Sequence, residues 1–155
     1  MTRALALCAD DYGAARGIDD AIVELAAAGR LSAVSCLANG EHWNGDAPAL
    51  RAVLGRADIG LHFNLSEGRP LSHELARAWP RLPALPRLIA LAHLGVLPLA
   101  AIHAELACQL EVFTTAIGAA PRFVDGHQHV HHLPGVRGIV LETIERMRPM
   151  PALRN

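Results

Sequence analysis

Aromatic residues are scarce: Phe, Trp and Tyr make up 4% of the 155-residue chain. That is too few for the stacking platforms on which single-stranded nucleic acids are held. An excess of one charge is missing too. Fourteen basic and fifteen acidic residues leave a formal net charge of -1, so the basic face expected of a nucleic-acid binder is absent. Cysteine is sparse, with Cys8, Cys36 and Cys108 odd in number and far apart. No CxxC pair or disulfide framework follows, and a reducing compartment fits. The longest uncharged run, Leu88 to Ala104, is broken by two histidines, a glycine and a proline, which argues against a membrane span. "MTRALALCADDYG" has too short an apolar run for a signal peptide. No internal repeat, linker or low-complexity run is present. The expectation is a soluble, cytoplasmic chain with no nucleic-acid partner.

What is there is core-forming material: 52% apolar residues against 19% charged, enough for one domain of ordinary size. Strand-like and helix-like segments alternate. "ALALCA" (Ala4–Ala9) reads as a buried strand ending at Asp10-Asp11, followed by a helix over Ile18–Gly29 with Ile18, Ile22 and Leu25 on one face. Leu31–Gly40 reads as a second strand, and Asp46–Gly55 as a helix with Asp46 as its N-cap. Ala57–Leu65 reads as a third strand, and about Ser66 to Pro98 as a proline-broken insertion. A helix from Leu99 follows, with Ile102, Leu106, Leu110, Phe113 and Ile117 at three- and four-residue spacing. "PRFVDGHQH" supplies a fourth strand, "PGVRGIVLETIERM" a fourth helix, and "ALRN" the start of a fifth strand. Such alternation predicts a parallel sheet covered by helices, with working groups just past the carboxyl ends of the strands. Asp10 and Asp11, Asn39, His62 and the histidine cluster all fall there.

That cluster is the densest chemical feature. "FVDGHQHVHH" packs four of the chain's nine histidines behind an aspartate. Taken singly, each piece has a plain structural reading. Paired aspartates favour turns, a lone histidine in an apolar strand is usually a satisfied core residue, and a histidine-rich loop is a weak signal. His127, His129 and His131 share one parity, so an extended segment would turn all three to one side. Taken together, two strands ending in histidine beside one ending in Asp-Asp could supply the three imidazole and carboxylate ligands of a catalytic divalent ion. A second carboxylate beside such a site could act as a base toward water.

"ADDYG", "NG" at 39–40, "GLHFNLSEGRPLS" and "DGHQHVH" resemble, in order and spacing, the motifs of the YdjC-like carbohydrate deacetylases, over nearly the whole chain. The stretch "DGHQHVHHLPGVR" is also similar to a branch associated with hopanoid-lipid biosynthesis. The resemblance implies an α/β fold, an irregular parallel β/α barrel of the glycoside hydrolase/deacetylase type. It also implies metal-dependent removal of an acetyl group from an N-acetylated sugar or glycolipid. On the family pattern Asp11, His62 and His127 would hold one divalent ion, magnesium or zinc, and Asp10 would be the base. His129 or His131 would protonate the leaving amine, His129 being nearer the ligand, while Asn39 and His131 would face the substrate. His132, of opposite parity, is expected at the surface.

Two other readings compete. The HxH pair also resembles the metal signature of the amidohydrolase superfamily, but that reading leaves Asp10, Asp11 and His62 without a role. A non-catalytic metal- or sugar-binding module would keep His62 and His127 yet have no use for Asp10. A barrel of this type takes on the order of 200–250 residues, so a single domain incomplete at its C-terminus is expected, and a dimer formed through the exposed edge there.

Overall fold

The computed structural model describes residues 5–155. Its elements run β1 (Cys8–Tyr12), α1 (Arg16–Ala27), β2 (Ala33–Cys36), α2 (Trp43–Leu50), β3 (Asp58–Phe63), α3 (His73–Ala78), α4 (Leu85–His93), α5 (Leu99–Ile117), β4 (Phe123–Gly126), α6 (Val136–Arg146) and β5 (Ala152–Leu153). The five strands form one parallel sheet in chain order. Each crossover carries helix or helical turns, as parallel pairing requires. The predicted α/β architecture is therefore present as an open portion of a β/α barrel. No helix among the described residues is long and apolar enough to cross a membrane.

The core lies between the sheet and its helices. Three of the chain's few aromatics form its centre, with Tyr12 edge-on to Trp43 and Trp43 stacked on Phe113 at 5.9 Å. The face expected on α5 is the one buried: Ile102, Leu106, Leu110, Phe113 and Ile117 all point inward. The same face also buries Glu105 and Gln109. The Glu105 carboxylate accepts the backbone N–H groups of Leu71 and Ser72 and an N–H from Gln109. These bonds pin the loop that follows β3 to the helix, and they satisfy a charge that would otherwise be costly to bury.

Several local expectations need correction. β1 does not stop at Ala9; it runs on through both aspartates, with a register slip against β2 between Ala9 and Tyr12 and Asp11 at φ 65°. A bulge of this kind redirects a side chain. On α1 the buried residues are Asp19, Ile22 and Ala26, while Ile18 and Leu25 are exposed. Asp19 turns inward because its carboxylate accepts the Gly13 N–H at 2.7 Å, closing the turn after β1. Helix α2 starts three residues before Asp46, which sits in its first turn instead of capping it. The segment read as an insertion holds α3, capped by the Ser72 hydroxyl, and α4.

The largest departure is after β4. The strand ends at Gly126, and His127–His132 coil into a tight helical turn with Gln128 and His129 at φ 51° and 59°. The extended segment that would have put His127, His129 and His131 on one side is not formed.

Gly60 on β3 lies under the Phe123 ring of β4, where an added Cβ would fall 2.5 Å from ring atoms. Gly60→Ala should therefore lower stability by about 1–3 kcal/mol through overpacking. A urea midpoint indistinguishable from the wild type would contradict this contact.

Candidate functional site

The carboxyl ends of four strands and one loop converge on a cleft of about 360 Å³ lined by Asp10, Asp11, His62, Asp125, His127 and Arg154, with His129 and His131 at its wall. A larger hollow of about 710 Å³ lies at the opposite ends of the strands, between Ser32, Asp58 and Arg122. In parallel β/α folds that end serves stability, not chemistry.

The β1 bulge delivers Asp11 into the cleft, and two imidazoles meet it there. Asp11 Oδ1 lies 2.8 Å from His127 Nδ1 and 3.3 Å from His62 Nε2. The two rings stand edge to face at 5.3 Å. The hydrogen bonds from His127 and His62 hold the Asp11 carboxyl well below the usual carboxylate range. Burial works against a charged His62, but its hydrogen bonds to Asp11 and Asp125 prevail and push it up to about 9. His127 is raised in the same way, its bond to Asp11 outweighing burial. Each of Asp11, His62 and His127 offers one ligand atom, and those atoms all lie within 4.8 Å of one another. Two neutral imidazoles and a carboxylate are a suitable set for a divalent ion with positions left open.

Behind these three stands Asp125, which reading the chain left without a role although it opens the histidine stretch. Its Oδ1 accepts from the Ser35 hydroxyl at 2.6 Å and pairs with His62 Nδ1, and its Oδ2 accepts from Arg154 Nε. Burial would raise this carboxyl, but the His62 hydrogen bond and its other partners lower it. With Nδ1–H of His62 given to Asp125, Nε2 is the nitrogen that faces Asp11. Arg154 reaches on to Asp10 Oδ1 at 2.6 Å, so one guanidinium bridges the half-exposed Asp10 and the buried Asp125. Ser35 and Arg154 carry no motif of their own; only the neighbouring strands reveal them.

The other expected residues divide. His129 is exposed at the rim of the cleft, and His132 is exposed as expected. His131 is buried, and neither ring nitrogen has a hydrogen-bond partner. It fits because Gly126 has no side chain: a Cβ there would sit 2.5 Å from His131 Nδ1. Burial, then the neighbouring His132, pushes His131 down to about 4. Asn39 is not among the residues lining the cleft. Its amide donates to the Arg69 carbonyl and its Oδ1 accepts from Asn64, which ties it to the loop after β3.

Residues 4–155 match the family model described as YdjC-like protein. The chain belongs to the YdjC-like family. A carbohydrate deacetylase of Mus musculus is 36% identical over 97% of this chain and 51% of its own length. A chitooligosaccharide deacetylase of Escherichia fergusonii is 34% identical over 90% of this chain and 55% of its own length. The chain thus spans about half the length of the curated relatives it matches. Among solved structures, an Enterococcus faecalis protein named for cellobiose-phosphate cleavage superposes with a TM-score of 0.79, covering 97% of this chain and 57% of that one. At 19% identity that likeness establishes the fold alone. His129, the second histidine of the HxH pair, lies outside the Asp11–His62–His127 cluster.

Keeping His131 neutral has a pH signature. The unfolded chain takes up a proton near 6.5 while the folded one resists until about 4, so this contribution is whole above the first value and lost as pH falls toward the second. Between pH 7 and pH 5 the wild type should lose more urea resistance than His131→Leu; equal losses would contradict a buried neutral imidazole.

Proposed function

We propose that this site releases acetate from an N-acetylated sugar by attack of water, with Asp11, His62 and His127 holding one divalent ion, zinc or magnesium. The observation that carries the reading is the meeting of those three side chains, from three strand ends, in a chain whose relatives are named as sugar deacetylases. A bound ion would supply Lewis acidity toward the acetamide carbonyl and acidify a water beside it.

The chain's own groups do the rest. Asp10 lies next in sequence to Asp11 but faces Arg154 across the cleft. In this reading it is the carboxylate that takes the attacking water's proton without joining the ligand set. Arg154, bonded to both Asp10 and Asp125, keeps Asp10 directed over the cleft. His129, exposed at the rim, gives a proton to the departing amine in this reading. His131, kept neutral by burial, forms part of the wall against which the sugar would rest. Asn39 acts on substrate only through the loop it tethers.

Acetate release from a panel of N-acetylated sugars, with and without chelator, tests the reading. Chelator should abolish release, and added divalent ion should restore it. Asp10→Asn should lower turnover by about 10²–10⁴-fold, the range for a lost general base, with ion affinity kept. His62→Ala should lose both. Release that survives thorough chelation, or an Asp10→Asn variant with full turnover, would refute the assignment.

A further inference from the structure

The two imidazoles that face Asp11 are not supported alike. An imidazole that binds a metal through one nitrogen is usually held by donating its other N–H to a carboxylate, a carbonyl or water. For His62 that acceptor is Asp125, bonded to Nδ1, while Nε2 faces Asp11. For His127 the order of the nitrogens is reversed: Nδ1 faces Asp11 at 2.8 Å, and Nε2 points the other way. His127 Nε2 is buried and has no hydrogen-bond partner. A carboxylate oxygen of Glu67 stands 3.5 Å from it.

Glu67 is on the loop after β3, and that loop is built to hold it there. Asn64 Oδ1 accepts the backbone N–H groups of Ser66 and Glu67, and Asn64 Nδ2 donates to the Glu67 carbonyl. Farther along, Glu105 takes the N–H groups of Leu71 and Ser72. The second oxygen of the Glu67 carboxylate accepts from Gln128 Nε2 at 3.1 Å, on the residue next to His127. The Glu67 backbone is thus fixed by Asn64, two positions after His62, and its carboxylate by Gln128, one after His127.

The geometry points to Glu67 as the positioning residue of His127: its carboxylate receives the Nε2–H and so leaves Nδ1 as the nitrogen open toward the ion. This rests on the metal reading given above, and it makes Glu67 a partner of a ligand rather than a ligand. It would also mean that the two histidines bind through different ring nitrogens, Nε2 for His62 and Nδ1 for His127.

The test loads the chain with ¹¹³Cd after ¹⁵N labelling of histidine and reads the cadmium–nitrogen couplings, with zinc affinity measured by competition against a chelating dye. The wild type should show coupling to His62 Nε2 and His127 Nδ1, with a proton on His127 Nε2. Glu67→Ala should weaken zinc binding about 10–100-fold, the usual effect of removing such a partner. Glu67→Gln, whose amide oxygen still accepts the N–H, should stay within a few-fold of the wild type. Coupling to His127 Nε2, or Glu67→Ala binding as tightly as the wild type, would overturn the inference while leaving the metal site intact. Glu67→Gln as weak as Glu67→Ala would overturn it in favour of direct ligation by the carboxylate. A wild type that takes up neither cadmium nor zinc would remove the metal reading itself, and this inference with it.

Discussion

The site hangs on one buried carboxylate. Asp125, 2% exposed at the end of β4, accepts hydrogen bonds from Ser35 on β2, His62 on β3 and Arg154 just past β5. Through Arg154 it reaches Asp10 on β1. Every strand of the sheet is therefore tied to this one group. An ionised carboxyl at that depth survives because both of its oxygens meet donors, one of them the cationic Arg154. Loss of any partner leaves a charge that the interior cannot tolerate, so registry at the top of the sheet is specified electrostatically where the strands themselves are short.

Around that anchor the backbone departs from its preferred conformations. Asp11, Gln128 and His129 all take positive φ without being glycine, which costs on the order of 1–3 kcal/mol each. The cost is offset locally. Asp19 bonds to the Gly13 N–H, and Gly40 packs so closely on Gly13 that a Cβ would lie 2.2 Å from its carbonyl oxygen. The "NG" at 39–40 thus serves the turn that presents the aspartates: Gly40 yields room to it, and Asn39 braces the loop that carries Glu67. Strain concentrated at the strand ends, over a conventional apolar core, is the usual division of a parallel β/α fold between stability and chemistry.

A chain covering about half of its curated relatives' length still brings Asp11, His62 and His127 together, because β1 and β3 carry the first two, the turn directly after β4 carries the third, and only β2 separates β1 from β3. Parallel strands in sequential order put residues distant in the chain side by side, and the pairing of His62 with Asp125 in the β3–β4 register shows how close that placement is.

Much of this was legible beforehand from local pattern. Strand–helix order, the inward face of α5 and the gathering of Asp10-Asp11, His62 and the histidine cluster at strand ends follow from apolar periodicity, a short-range property of the chain. The choice of Asp11 and His127 as the partners of His62 comes instead from the resemblance to the YdjC-like family. The sequence could not tell which way His129 and His131 point. Period-two parity holds only while the backbone stays extended, and the left-handed residues after Gly126 end the strand. Nor could it single out Ser35 or Arg154, ordinary residues in ordinary segments, or say which group Glu67, inside the motif that follows His62, would meet. Their hydrogen-bond partners lie 90, 144 and 61 positions away, and only the packed sheet decides which distant groups will meet.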